Sequence, residues 1–139
     1  MRVLALVILA LAASSAIPQE RTPASSGAEV YIISPKDGAT VKNPVVVQFG
    51  LRGMGVAPAG VKFDNTGHHH LLIDTDAPAD MSVPLPANAN IMHFGKGQTE
   101  TQLTLAPGKH TLQLLFADLN HIPHQPPVIS KKITISVTE

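Results

Sequence analysis

Seven histidines stand in a chain of 139 residues that contains no cysteine, and six of them fall into three groups. His68, His69 and His70 are consecutive, His93 follows a Pro/Ala-rich stretch, and His121 and His124 share the segment His-Ile-Pro-His; His110 stands alone. Imidazole is a ligand for copper, zinc, nickel and iron, and it is also the side chain that titrates nearest to neutral pH. With no thiolate in the chain, a metal would have to be held by His, Met, carboxylate, backbone or water. A blue-copper electron-transfer centre is excluded, because that site is built on Cys.

Such chemistry needs elements that bring the groups together. The run His68 to Asp74 (HHHLLID) reads as a strand. In a strand, side chains alternate between faces, so His68, His70 and Leu72 share one face and His69, Leu71 and Ile73 the other. A His-x-His pair on one face can hold one ion, and the remaining ligands must come from elsewhere. His110 to Ala117 (HTLQLLFA) reads as a further strand. In a sandwich order the two strands are antiparallel neighbours, which sets the start of the first beside the end of the second. His68 and the loop carrying His121 and His124 are therefore expected at one rim. The candidate ligands are His68, His70, His121 and His124, followed by His93, His69 and Met54, which lies in the loop before the triplet strand. A thioether beside imidazoles would favour copper, Cu(I) above all. Neutral imidazoles can instead knit loops together by hydrogen bonds without any metal. Met81 and Met92 read as packing residues and His110 as a surface residue. Asp74, Asp76 and Asp118 read as turn caps or as partners that orient His rings.

The rest of the chain reads as short strands between turns. Glu29–Ile33, Pro44–Leu51, His68–Asp74, Ile91–Gly97, Thr99–Leu105, His110–Ala117 and Val128–Val137 are the strand-like runs. Ser34-Pro35-Lys36-Asp37-Gly38 and Pro107-Gly108 carry turn chemistry. Residues 76–90 form a long connection whose prolines bar a central strand, and 118–127 reads as a loop. Twelve Pro and ten Gly disfavour long helices. The expected class is all-β, an immunoglobulin-like sandwich of about seven strands. Aromatics make up only 4% of the chain, so Val, Ile, Leu and Ala must fill the core.

Charge is balanced, with 10 Lys plus Arg against 10 Asp plus Glu, and no basic patch points to nucleic acid. Arg2, the apolar run Val3 to Ala13 and the small residues Ser14-Ser15-Ala16 read as a secretory signal over 1–16. Residues 17–28 read as a flexible leader and 29–139 as the His-rich domain. The expected location is periplasmic or secreted, with no membrane attachment after signal cleavage.

The segments SPKDGATVKNPVVVQFG, NTGHHHLLID, HFGKGQTE, LAPGKHTLQLLFAD and HIPHQPPVISKKITI together resemble a family of uncharacterised bacterial exported single-domain proteins, over about residues 28–138. GHHHLLID and HIPHQPP are specific in combination. The resemblance implies an exported domain in which His68, His69, His70, His93, His121 and His124 belong to the shared pattern. It departs at Leu119-Asn120, where the family pattern leads one to expect an aromatic. The opening SPKDGATV also resembles the first strand and turn of small periplasmic copper-binding sandwiches.

These readings favour a non-enzymatic carrier or buffer for a transition metal, copper ahead of zinc, with a periplasmic protein as partner. A protein-interaction or structural module built on a His hydrogen-bond cluster is the second reading, and a copper oxidoreductase the third. Ser34, Ser82 and Ser130 lie in no nucleophile elbow, and no carboxylate pair suggests a glycosidase.

Overall fold

The computed structural model describes residues 20–139, so the signal expected over 1–16 lies outside the described residues. The described chain forms ten strands and no helix. β1 (Glu29–Ser34), β3 (Val45–Arg52) and β7 (Glu100–Leu103) make one sheet in the order β1-β3-β7. The other sheet runs β2 (Thr40–Lys42), β10 (Ile133–Thr138), β8 (Gly108–Ala117), β5 (Thr66–Ile73) and β4 (Gly55–Val56). β6 (Ile91–His93) adds to β5, and β9 (Pro123–Ile129) adds to β8. This is the all-β sandwich expected of the sequence, with short edge strands added.

Alternation builds the core. Val30, Val45, Val47 and Phe49 of the smaller sheet face Leu71, Ile73, Leu112, Leu114, Phe116 and Ile135 of the larger one, all buried. The larger sheet is also covered on its other face. There Leu72, Leu115, Ala117 and Ile91 pack with Leu85, and Ala77 and Met81 lie against them. The connection between β5 and β6 thus roofs the outer side of β5 and β8. This explains why β5 is buried at seven consecutive positions, Gly67 to Ile73, rather than at alternate ones.

Three elements differ from the sequence reading. Residues 118–127 are not all loop. Pro123–Ile129 forms β9, and its prolines are tolerated because β9 is an added edge strand that joins β8 at a register shift between Phe116 and Ala117. Val128–Val137 is accordingly two strands, broken between Ile129 and Ile133. Finally, the described part of the expected leader is fastened rather than loose. Ala24 N–H donates to Gln125 O at 3.0 Å, and Gln125 N–H donates to Thr22 O at 2.9 Å. Arg21 also donates to the carbonyls of Pro123 and His124.

β5 can approach β8 and β9 because position 67 has no side chain. A Cβ there would lie 2.3 Å from Ala117 O, 2.8 Å from Phe116 Cε1 and 2.9 Å from His124 Cε1. Backbone cannot yield as a side chain can. Gly67→Ala is expected to cost about 2–3 kcal/mol of stability, the scale of overpacking in a closed site. It should appear as a lower urea midpoint at unchanged slope; an unchanged midpoint would contradict the close approach.

Candidate metal centre

β5 places the triplet as its alternation dictates. His68 and His70 lie on the outer face, His69 on the core face, and all three are fully buried. β5 pairs antiparallel with β8, and His68 stands opposite Ala117, the last residue of β8. The chain then turns back over the outer face through Asp118-Leu119-Asn120-His121-Ile122.

That turn is organised by one carboxylate. Asp118 Oδ1 accepts from Asn120 N–H at 2.9 Å and from Ile122 N–H at 3.0 Å, and Oδ2 accepts from the Thr22 hydroxyl at 2.6 Å. Asp118 is buried, and its role is the turn cap, one of the two read from sequence. Two backbone bonds close the loop, His121 N–H to Asp118 O and Asp118 N–H to Ile122 O, both 2.9 Å. His121 is left with φ of +64°, a left-handed conformation uncommon for a residue with a side chain. Strain of this kind concentrates where geometry serves function.

The result is a convergence of ring nitrogens. His68 Nε2 lies 2.9 Å from His121 Nδ1, and His70 Nε2 lies 3.3 Å from the same atom. All three nitrogens fall within 4.8 Å of one another. Two nitrogens bound about 2.0–2.1 Å from one ion, at angles between a right angle and the tetrahedral value, stand about 2.9–3.4 Å apart. The two closest separations lie in that range. A His triad here could hold a metal.

His93 completes a ring of four imidazoles. It is paired in register with His70 across β5 and β6. Its ring centroid is 4.4 Å from that of His70 and 4.7 Å from that of His121. His68 and His70 are wholly enclosed, whereas His93 and His121 are only partly buried and form the outer rim.

Burial, then the neighbouring His121 and His93, lowers the His68 pKa to about 4. Burial, then His68, His93 and His121, lowers that of His70 to about 2. Burial and then His93 also push His121 below its ordinary value. At neutral pH these rings are uncharged, and each has a nitrogen lone pair to offer a cation.

The other sequence candidates lie elsewhere. His69 sits between Phe49 and Phe116, each ring centroid 5.1 Å away, and neither of its nitrogens has a hydrogen-bond partner among the described residues. His124, expected beside His121, is carried by β9 and stacks on the core residue Phe116 at 5.8 Å. Its Nδ1 lies 3.5 Å from Phe116 O. Met54 and Met92 pack against the main core cluster and Met81 against the outer one. None of these residues belongs to the convergent group.

His110, read as a surface residue, is partly exposed and is held at both ring nitrogens. Its Nδ1 bonds Asp74 Oδ2 and its Nε2 bonds Ala106 O, both at 2.7 Å. The Asp74 bond, then the Ala106 carbonyl, raises its pKa. Asp74 also accepts from Thr111 N–H at 2.8 Å, so it fastens the end of β5 to β8. Asp76 pairs with Lys132 at the surface.

Residues 47–138 match the family described as domain of unknown function (DUF4399). The chain belongs to this family. The matched span holds all seven histidines of the chain, including the four that ring the candidate centre. No curated protein and no solved structure matches the chain.

Proposed function

We propose that this DUF4399 protein is an exported transition-metal binder that takes copper and acts as a carrier or buffer. The observation that carries the reading is the pair of short contacts from His121 Nδ1, 2.9 Å to His68 Nε2 and 3.3 Å to His70 Nε2. One imidazole nitrogen has a single lone pair or a single proton, so it can make one good hydrogen bond rather than two. An ion at the centre satisfies all three nitrogens together. Nitrogen sites bind divalent copper more tightly than zinc or nickel, which puts copper first and zinc second. Since Met54 packs with the core, the case for copper rests on imidazole alone. Export is supported by Arg2, the apolar run Val3 to Ala13 and the small residues that follow. A periplasmic protein that hands over or receives the ion is the partner this role requires.

The test is titration of the purified protein with Cu(II), Cu(I) and Zn(II), in competition with chelators of known affinity. Binding tighter than about micromolar, roughly 8 kcal/mol, is expected for copper. Weaker binding for all three ions would leave a metal-free His cluster, and with it the reading of an interaction or structural module. Redox turnover by the copper-loaded protein would move the assignment to a copper oxidoreductase.

A further inference from the structure

The fourth imidazole is held in a way the other three are not. His93 Nε2 lies 3.1 Å from Pro86 O. A carbonyl only accepts, so Nε2 carries the proton and the lone pair is left on Nδ1. A ligating histidine is typically prepared in this manner, with one nitrogen donating to a carbonyl and the other turned to the ion. His68 and His70 lack that support, since their Nδ1 atoms have no partner among the described residues.

The residue that holds His93 is also tied to His121. Leu85, next to Pro86, donates its N–H to His121 O at 2.9 Å, and its side chain is buried in the outer cluster. Two adjacent residues of the β5–β6 connection therefore grip the two rim histidines. Leu85 takes the backbone of one and Pro86 the ring of the other. His93 is not within the 4.8 Å set, so its ring must move inward to reach a shared ion.

We infer that His93, through Nδ1, is the fourth ligand of the ion held by His68, His70 and His121, and that Leu85-Pro86 is a strap tightened by metal binding. The inference rests on the metal-binding reading and adds a donor set to it. Four imidazoles give a four-coordinate site, which suits Cu(II) and Zn(II). Ligation also links occupancy of the buried pair to the order of an exposed connection, a surface that a partner could read.

The experiment uses the full-length protein loaded with Cu(II). Pulsed electron paramagnetic resonance counts the coordinated imidazoles in the unaltered protein, and four are expected. Hydrogen exchange across residues 80–90 is expected to slow when Cu(II) is added. His93→Gln should keep Cu(II), bind it about 10- to 100-fold more weakly, show three imidazoles and lose the slowing at 80–90. A count of three in the unaltered protein overturns the inference while leaving the metal site standing. So does a His93→Gln protein with unchanged affinity, spectrum and exchange. Failure of the unaltered protein to bind Cu(II) at all overturns both.

Discussion

Replacing His121 by Asn is expected to lower copper affinity by at least about 100-fold, or about 2.7 kcal/mol, while leaving the fold intact. His121 is the one member of the convergent triad that comes from a loop, and its Nδ1 is the atom that both other nitrogens approach. Without it, the convergent triad is reduced to the His68–His70 pair on one strand, and the more distant His93 ring is the only other imidazole left at the rim. The choice of Asn follows from the backbone. At φ of +64°, most side chains are strained, and Asn is among the few that adopt this region readily. The bonds from His121 N–H to Asp118 O and from Leu85 N–H to His121 O belong to the backbone and survive the exchange. Substitution of His68 or His70 would be a poorer test. Both are fully buried in β5, and truncation there would open a cavity as well as remove a ligand. The measurement is competitive Cu(II) titration beside a urea melt of the metal-free protein. Affinity within about threefold of the unaltered protein, less than 1 kcal/mol, would rule His121 out as a ligand.

The part of this site that was legible in the sequence is the part governed by alternation and chain direction. Strand period put His68 and His70 on one face and His69 on the other, and antiparallel pairing put the end of the 110–117 strand beside the start of the triplet. The first is seen in the approach of His68 and His70 to His121 while His69 lies between Phe49 and Phe116, and the second in the pairing of His68 with Ala117. What escaped the sequence depends on tertiary packing. His124 was grouped with His121 because prolines made 118–127 look like continuous loop. β9 forms there as an added edge strand and carries His124 onto Phe116, away from the triad. The pairing of His93 with His70 depends on a three-residue strand that follows a long connection, and no local pattern announces such a register. Met54 lies near the right end in sequence terms, but the core takes its apolar side chain. The burial of β5 on both faces depends on the 74–90 connection folding over the sheet. Its Pro-rich composition suggested only that it was not a strand.

The buried imidazoles also predict a sharp loss of stability in mild acid for the metal-free protein. In the unfolded chain each histidine takes up a proton as pH falls through about 6.5. In the folded protein His68 and His69 hold out until about pH 4 and His70 until about pH 2, chiefly because burial disfavours the charged ring. The folded pKa lies below the unfolded one, so the unfolded state binds more protons throughout this interval. Stability is therefore complete above about pH 7 and declines as pH falls. Each such histidine contributes a slope of about 1.4 kcal/mol per pH unit where only the unfolded state is protonated, so three give about 4 kcal/mol per unit at about pH 5, and the slope lessens toward pH 4 as His68 and His69 take up protons in the folded protein. Domains of this size are stable by only about 5–15 kcal/mol, so a decline on this scale removes a large part of the stability before pH 4 is reached. His110 acts in the opposite direction. Its pKa is raised by Asp74, so its contribution is present below about pH 6.5 and is lost as pH rises through the raised value. Its gain is complete by about pH 6.5, so it adds a constant amount below that and leaves the slope at about pH 5 unchanged. Copper would oppose the loss, because an ion that binds only the folded state adds about 2.7 kcal/mol at a hundredfold excess over its dissociation constant. That protection must itself fade with acid, since protons compete for the same lone pairs. Urea unfolding of the metal-free protein at intervals from pH 7.5 to pH 4.5 measures the slope directly. A flat profile over that range would mean that the three rings reach solvent or partners that hold their charge, and the enclosed site described for His68 and His70 would be wrong.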